Sequence, residues 1–231
     1  GPNTRAMLED LVVSEDPHKT LSNKEFPWLT YRDIEIGMCP VRALRVAYTG
    51  ELGWELHHPI EMQNYLLDTI LETGKKYNLK LVGARAQNWL RQEKSYRAFG
   101  SDLGRDAGPF ESNLSRFVDL SKDFLGKEEL EKRKLEYLCV TLLIDGPEDT
   151  DPWGREVIYD ASGESVLGRL TSGGYSVHLK KSIGIGYVKE KFSTTGTKVK
   201  IKINNQLFSA EIVEDSPYDP KNERIINREI S

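Results

Sequence analysis

TKVKIKINNQLFSAEIV, residues 197–213, decides how the second half of the chain folds. In KVKIKIN the alternation of lysine with valine or isoleucine is strict. Successive side chains of a strand point to opposite faces, so one face here is buried and a lysine face is wet. After NNQ a β pattern resumes in LFSAEIV. Working outward, YLCVTLLID (137–145), EVIYD (156–160), SVLGRLTSGGYSV (165–177) and SIGIGYV (182–188) are further short β patterns. Gly-, Pro- and Asp-rich stretches such as DGPEDTDPWG and KEKFSTTG separate them. Six short strands at roughly even spacing predict a closed or nearly closed antiparallel barrel.

The first half reads differently. RDIEIG (32–37) and VRALRVA (41–47) alternate around the turn-like GMCP, as a half-buried antiparallel hairpin would. Before them, PNTRAMLEDLV places Ala6, Met7, Leu8 and Leu11 on one helical face, and SEDPHKTLSNKEFPW reads as a loop. After them, Met62, Tyr65, Leu66, Thr69 and Ile70 fall at helical spacing between Pro59 and Gly74, with Gly74 placed to end the helix. A second helix is expected over Ala84–Tyr96, with NLKLVG (78–83) a short strand between the two. Gly100–Asn113 reads as a loop, LSRFVDL (114–120) as a strand and GKEELEKRK (126–134) as a surface helix. The organisation is α+β followed by an all-β barrel, divided at residues 1–132 and 133–231.

Composition narrows the function. The 231 residues are 38% hydrophobic and carry four Trp, ten Tyr and seven Phe, enough for a folded core. Thirty-two Lys plus Arg against 36 Asp plus Glu give a net charge of −4. No basic run exceeds EKRK (131–134), which argues against a nucleic-acid partner. No apolar stretch approaches the roughly 20 residues that span a bilayer, so no membrane partner is expected. Cys39 and Cys139 sit among apolar neighbours and read as buried, reduced thiols. With four His in the chain they form no metal-site spacing.

YTGELGWEL (48–56) is the candidate site. Tyr48 enters a turn in which Gly50 and Gly53 either adopt conformations closed to other residues or admit a ligand to the backbone. A strand resumes at Trp54-Glu55-Leu56, and alternation sets Trp54 and Glu55 on opposite faces. Two readings stay open. One is a turn with a core Trp54 and solvated Glu51 and Glu55. The other is a pterin site, in which a carboxylate accepts the flat donor pair of the 2-amino group and N3–H beside an aromatic ring.

Four stretches in order, YTGELGWELHHP, LRQEKSYRAFGSDL, GPFESNLSRFVDLSKDFLGKEEL and GRLTSGGYSVHLKKSIGIGYV, resemble the tetrahydrofolate-binding region of the glycine-cleavage T-protein (aminomethyltransferase) family. GELGWEL and EKSYRAFG are most similar to the folate half of dimethylglycine and sarcosine dehydrogenases. The resemblance implies a ferredoxin-like α/β subdomain with an antiparallel sheet before the barrel. It implies tetrahydrofolate as cofactor, with Tyr48 and Glu55 contacting the pterin and Glu51 stabilising the turn.

Two positions depart from the family pattern. The family's GARD arginine also approaches folate. GAR at 83–85 matches it by eye, but anchoring on Leu90, Arg91 and Glu93 places it at Gln87, a neutral hydrogen-bonder. Arg116 stands where relatives carry an aromatic; it either stacks its guanidinium on the pterin or is solvated on a strand. Glu111 is expected to tie its loop to backbone amides. Arg42, Arg45, Arg97 and Arg105 are candidates for the glutamyl tail or for plain solvation. His57, His58 and His178 lack a catalytic partner in sequence.

GPNTRAML is similar to a motif inside the family's folate unit. The resemblance therefore implies an upstream half that supplies the acidic residue near the reacting folate nitrogens, and no catalytic residue within this chain. It also implies an upstream domain holding FAD, a one-carbon donor derived from an N-methyl amine, 5,10-methylenetetrahydrofolate as product, and residence in bacterial cytoplasm or mitochondrial matrix. On that expectation residues 1–231 alone are inactive. An aminomethyltransferase of the glycine cleavage system, a folate demethylase acting on a sulfur or oxygen donor, and a non-catalytic regulatory relative are the alternatives.

Overall fold

Alternation in YRDIEI and CPVRAL builds the first sheet. In the computed structural model, which describes residues 1–226, β1 (Tyr31–Ile36) and β2 (Cys39–Leu44) pair antiparallel with Ile34 opposite Val41. β3 (Glu55–His57) pairs antiparallel with the other side of β2, giving the order β1-β2-β3. By contact the chain forms two compact units, Gly1–Gln87 with the described residues from Lys221, and Asn88–Pro220.

In the first unit one sheet face is apolar. Ile34, Ile36, Val41 and Ala43 are buried in one cluster with Met7, Leu8 and Leu11. Met7 and Leu8 lie on α1 (Thr4–Glu9), and Leu66 of α3 (Gln63–Gly74) joins the same cluster. Ala6, expected on that face, is exposed. The stretch read as a loop contains a one-turn helix, α2 (Pro17–Thr20), started by Pro17 and capped by Asp16 Oδ1, which accepts from Lys19 N at 3.0 Å.

One expectation in this unit holds and one is corrected. Gly74 ends α3 as expected, though at φ −60° and not in the left-handed region; a tight turn follows, and Asn78 at φ 54° is the left-handed residue. Glycine is needed at 74 for packing instead, since a Cβ would lie 2.7 Å from Leu79 Cβ. NLKLVG is coil, not strand, and leaves Leu81 and Val82 exposed. Only Leu79 packs against the core cluster; the alternation begun by Leu79 and Leu81 stops at Val82 and is too short to make a strand face.

α4 (Ala84–Glu93) forms where expected but stops three residues earlier, at a left-handed Ser95 with φ 54° whose N–H donates to Gln92 O at 2.8 Å. LSRFVDL is also not a strand. Its Ser115–Phe117 is a 3-10 turn preceded by left-handed Asn113 at φ 57°. Phe117 beside Val118 breaks the period of two that a strand needs. The surface helix appears as α5 (Lys127–Lys132).

The barrel is as read. β4 (Tyr137–Ile144), β5 (Val157–Tyr159), β6 (Val166–Ser176), β7 (Lys181–Lys189), β8 (Lys198–Ile203) and β9 (Gln206–Val213) close in the order β4-β7-β6-β5-β8-β9. Every pairing is antiparallel. Val199, Ile201 and Ile203 face the interior with Leu142, Ile158 and Leu170, while Lys198 and Lys202 face solvent. Cys39 and Cys139 are free and buried. Burial pushes both thiols up, Cys139 to about 11.

Candidate functional site

The sheet of the first unit has a second, open face, and the candidate carboxylate stands on it. Register places Tyr31, Leu44 and Glu55 in one row and Asp33, Arg42 and His57 in the next. Glu55 is exposed, while Trp54 is turned into the core, edge-on to Phe26 with ring centroids 6.0 Å apart. The alternation expected from sequence therefore holds. Among the described residues the Glu55 side chain meets only His57 Nε2, at 3.3 Å from Oε2.

The turn that carries Glu55 is anchored from inside by Leu52, which is buried. Gly50 has φ 77°, a conformation L side chains rarely adopt. Gly53 does not; a Cβ there would crowd Ala47 Cβ at 3.2 Å, so its smallness serves packing. Tyr48, at the other end of the turn, is 37% exposed. Gln87 is exposed on the N-terminal half of α4. Arg116 is exposed too, on the 3-10 turn rather than on a strand, with its guanidinium 4.8 Å from the Phe117 ring centroid.

Three of the four arginines considered for an anionic tail are committed elsewhere. Arg42 donates to both oxygens of Asp33, at 2.8 and 3.0 Å, which holds the Asp33 carboxyl below its ordinary range. Arg97 donates to Ser95 O at 2.6 Å and pairs with Asp215 at 2.9 Å. Arg45 is 1% exposed and donates to Asn23 Oδ1, Phe26 O and Ile226 O. Burial, then the Arg5 charge, pushes its guanidinium down to about 10. Arg105 is exposed. A groove of about 950 Å³ on this unit is lined by Asp33, Arg42, His57 and His58, among others, and not by Tyr48 or Glu55.

The second unit holds what sequence reasoning missed. Arg91, Gln92, Glu93, Lys94 and Ser95 are all at most 3% exposed. Arg91 pairs with buried Asp102, which also accepts from Ala98 N at 2.9 Å, Ser172 Oγ at 2.7 Å and Thr171 Oγ1. Glu93 accepts from Ser176 Oγ at 2.7 Å and His178 N at 3.2 Å, with His178 Nδ1 2.7 Å from its other oxygen. His178 thus has the carboxylate partner its sequence context did not disclose, and it stacks on Tyr218 at 3.9 Å. Lys94 donates to the carbonyls of Tyr218 and Asp219. Hydropathy gives no signal for such a cluster, because a run of charges reads as solvated surface.

Glu111 is likewise corrected. Its carboxylate pairs with Arg133 rather than with backbone amides, while its own carbonyl accepts from Cys139 N at 2.7 Å. Among the described residues no group of three or more His, Cys, Asp or Glu is arranged to hold a metal, and no helix is long and apolar enough to cross a membrane.

A helix-flanked antiparallel sheet followed by a closed six-stranded barrel matches the fold of glycine cleavage system aminomethyltransferase T from Bartonella henselae. The TM-score is 0.77 at 22% identity, over 95% of this chain and 58% of that one. The chain belongs to the glycine cleavage T-protein family: the GCVT N-terminal domain model matches residues 1–122 and the glycine cleavage T-protein C-terminal barrel model residues 138–219.

Curated relatives include mitochondrial dimethylglycine dehydrogenase from Homo sapiens, 37% identical over 93% of this chain and 24% of that protein. Mitochondrial sarcosine dehydrogenase from Mus musculus is 30% identical over 97% of this chain and 25% of its own length. Aminomethyltransferase from Caldanaerobacter subterraneus subsp. tengcongensis is 34% identical over 94% and 57%. The chain thus spans about a quarter of the dehydrogenases it matches. It is related to enzymes over nearly its whole length.

Proposed function

We propose that this chain carries part of a tetrahydrofolate site in an N-methyl amine dehydrogenase or demethylase of the dimethylglycine and sarcosine type. In this reading a one-carbon unit released from the amine is captured as 5,10-methylenetetrahydrofolate. The observation that carries it is Glu55: a carboxylate on an open sheet face, backed by a Trp54 locked in the core, with one weak contact of its own. An arrangement that leaves a carboxylate fixed in direction and free to accept suits a flat pair of N–H donors.

Bound tetrahydrofolate supplies the two nitrogens, N5 and N10, that take up a carbon at the formaldehyde oxidation level. The chain's part is to bind and orient. Glu55 accepts from the pterin 2-amino group and N3–H; Tyr48 packs against the ring; Gln87 adds a neutral hydrogen bond; Arg116 stacks its guanidinium on a conjugated surface. No residue here is assigned as acid or base. The proposed acidic residue, the FAD domain that oxidises the amine and the upstream half of the folate unit all lie outside this chain.

The dehydrogenase relatives, at 37% and 30% identity, support the amine reading, as does Gln87 in place of the family arginine. The 34% identity to an aminomethyltransferase keeps that activity as the second reading. The division into a folate-unit portion, 1–132, and a barrel, 133–231, is part of the proposal, and the segment between the two family matches supports it. Mitochondrial matrix or bacterial cytoplasm is the proposed location.

Anaerobic calorimetric titration of tetrahydrofolate into the chain and into Glu55→Ala tests the site. Saturable binding that the variant loses supports it, and equal binding by both refutes the role of Glu55. One-carbon transfer catalysed by residues 1–231 alone would overturn the assignment of the reacting groups to other parts of the protein.

A further inference from the structure

Trp54 is held without help from its own hydrogen-bonding group. Its Nε1 is buried and has no acceptor among the described residues, so the ring's orientation comes from what packs on it. Three groups do. The Arg45 guanidinium lies 5.6 Å from the ring centroid and that of Arg5 5.9 Å, and Phe26 meets it edge-on. Asn23 Oδ1 ties the two cations together, accepting from Arg5 at 2.7 Å and Arg45 at 2.6 Å.

Arg45 is an unusual choice for this seat. It is 1% exposed, and among the described residues no carboxylate pairs with it; its acceptors are the neutral oxygens of Asn23, Phe26 and Ile226. A buried cation without a counter-charge opposes folding. What it gains is reach. A planar fork bonds three separated acceptors and still presents a face to an aromatic ring, which an ammonium cannot do. One acceptor, Ile226 O at 2.9 Å, belongs to α6 (Glu223–Ile226), after the barrel in sequence but in the same compact unit as Arg45. Its neighbour Ile225 is 2% exposed.

The next residue after Trp54 is Glu55. β3 is three residues long and pairs on one side only, with β2, so the ladder alone fixes Glu55 weakly. We infer that Arg45 is a positioning residue for Glu55, acting through Trp54, and that α6 completes its seat. The direction of the carboxylate then depends on a segment about 170 residues away in sequence. The inference rests on the proposed role of Glu55 for its effect on ligand, but not for its effect on structure.

Two variants of the full chain test it, Arg45→Lys and a deletion of residues 221–231. Nitrogen-15 spectra read the Trp54 indole and the Glu55 and His57 amides against the barrel resonances, and tetrahydrofolate titration reads affinity. Both variants are expected to shift the Trp54 and Glu55 signals, leave the barrel signals in place and weaken binding about tenfold. Unmoved Trp54 and Glu55 signals in a folded variant overturn the inference, as does a shift that leaves affinity intact. Failure of both variants to fold would assign Arg45 to stability alone and also overturn it. If the unaltered chain binds no folate, the proposed function fails, and the resonance shifts still decide whether Arg45 and α6 set the position of Glu55.

Discussion

Two sets of carboxylates, one in each unit, are treated in opposite ways. In the second unit Asp102 and Glu93 are buried, and each gathers several donors. In the first unit Glu55 stands in solvent with one long contact to His57. A buried carboxylate with its acceptor capacity filled holds the fold, whereas an exposed one on a sheet's open face has capacity left for a ligand. Number of partners, more than charge or motif, separates the two roles.

The sharpest way to break this contrast is to delete the most connected group. Asp102→Ala leaves Arg91 buried without its counter-charge and orphans the donors from Ala98, Thr171 and Ser172. Breaking a buried pair on one side costs about 3–5 kcal/mol. Urea unfolding should show that loss, and a loss under about 1 kcal/mol would mean that the network is a passenger of the fold.

Glu55→Ala should do the reverse. Losing a two-point charged contact is expected to weaken tetrahydrofolate binding by at least about 2 kcal/mol. Stability should change by less than about 0.5 kcal/mol, because nothing buried is disturbed. A thermal melt beside the titration checks both halves. A large loss of stability would place Glu55 with Asp102 and end the comparison.

That contrast also explains what was legible in the sequence. KVKIKIN and its neighbours announced a barrel because half-buried strands write their faces into a period of two, and all six strands formed. NLKLVG and LSRFVDL misled because each alternates over only three residues, Leu79 to Leu81 and Val118 to Leu120, beside an adjacent apolar pair that breaks the period, and neither stretch is a strand. Trp54 against Glu55 was legible as a choice between faces, and the structure made the choice. The burial of Arg91 to Lys94 was not legible, although the stretch carried part of the resemblance: its charges look solvated until Asp102, Ser172, Ser176 and Asp219 are folded around them.

Raising the pH should separate the units more gently. In the second unit burial pushes the Cys139 thiol from 9.0 to about 11 and the Tyr187 phenol from 10.0 to about 12. An acid whose folded pKa lies above its unfolded value adds stability that is whole below the unfolded pKa and fades as pH rises through the folded one. Between pH 9 and 12 the second unit should therefore weaken by roughly 2–4 kcal/mol, most of it from Cys139 because Tyr187 is partly exposed. Tyrosine absorbance and urea midpoints across that range are the measurement. A midpoint flat to pH 11 would show that the thiol remains protonated in the unfolded chain or is unshifted in the folded one.

The smallest effects belong to Gln87 and Arg116, the two positions read from the sequence resemblance as departures from the family's pattern. Both are exposed, and Arg116 rests on Phe117 at 4.8 Å, so replacing either by alanine should leave stability within about 0.5 kcal/mol. As pterin contacts they are worth less than Glu55: a neutral hydrogen bond contributes about 0.5–1.5 kcal/mol, and an exposed cation over a ring about 0.5–1. Calorimetry on each variant, at equal ionic strength, should find two- to tenfold weaker folate binding. Arg116→Phe provides the sharper arm, because a stacking role survives exchange of one flat group for another whereas a charge role does not. Affinity retained by Arg116→Phe and lost by Arg116→Ala would identify stacking. Equal affinity in all three proteins would make Arg116 a solvated residue and leave recognition of the pterin to the stretch that ends in Glu55.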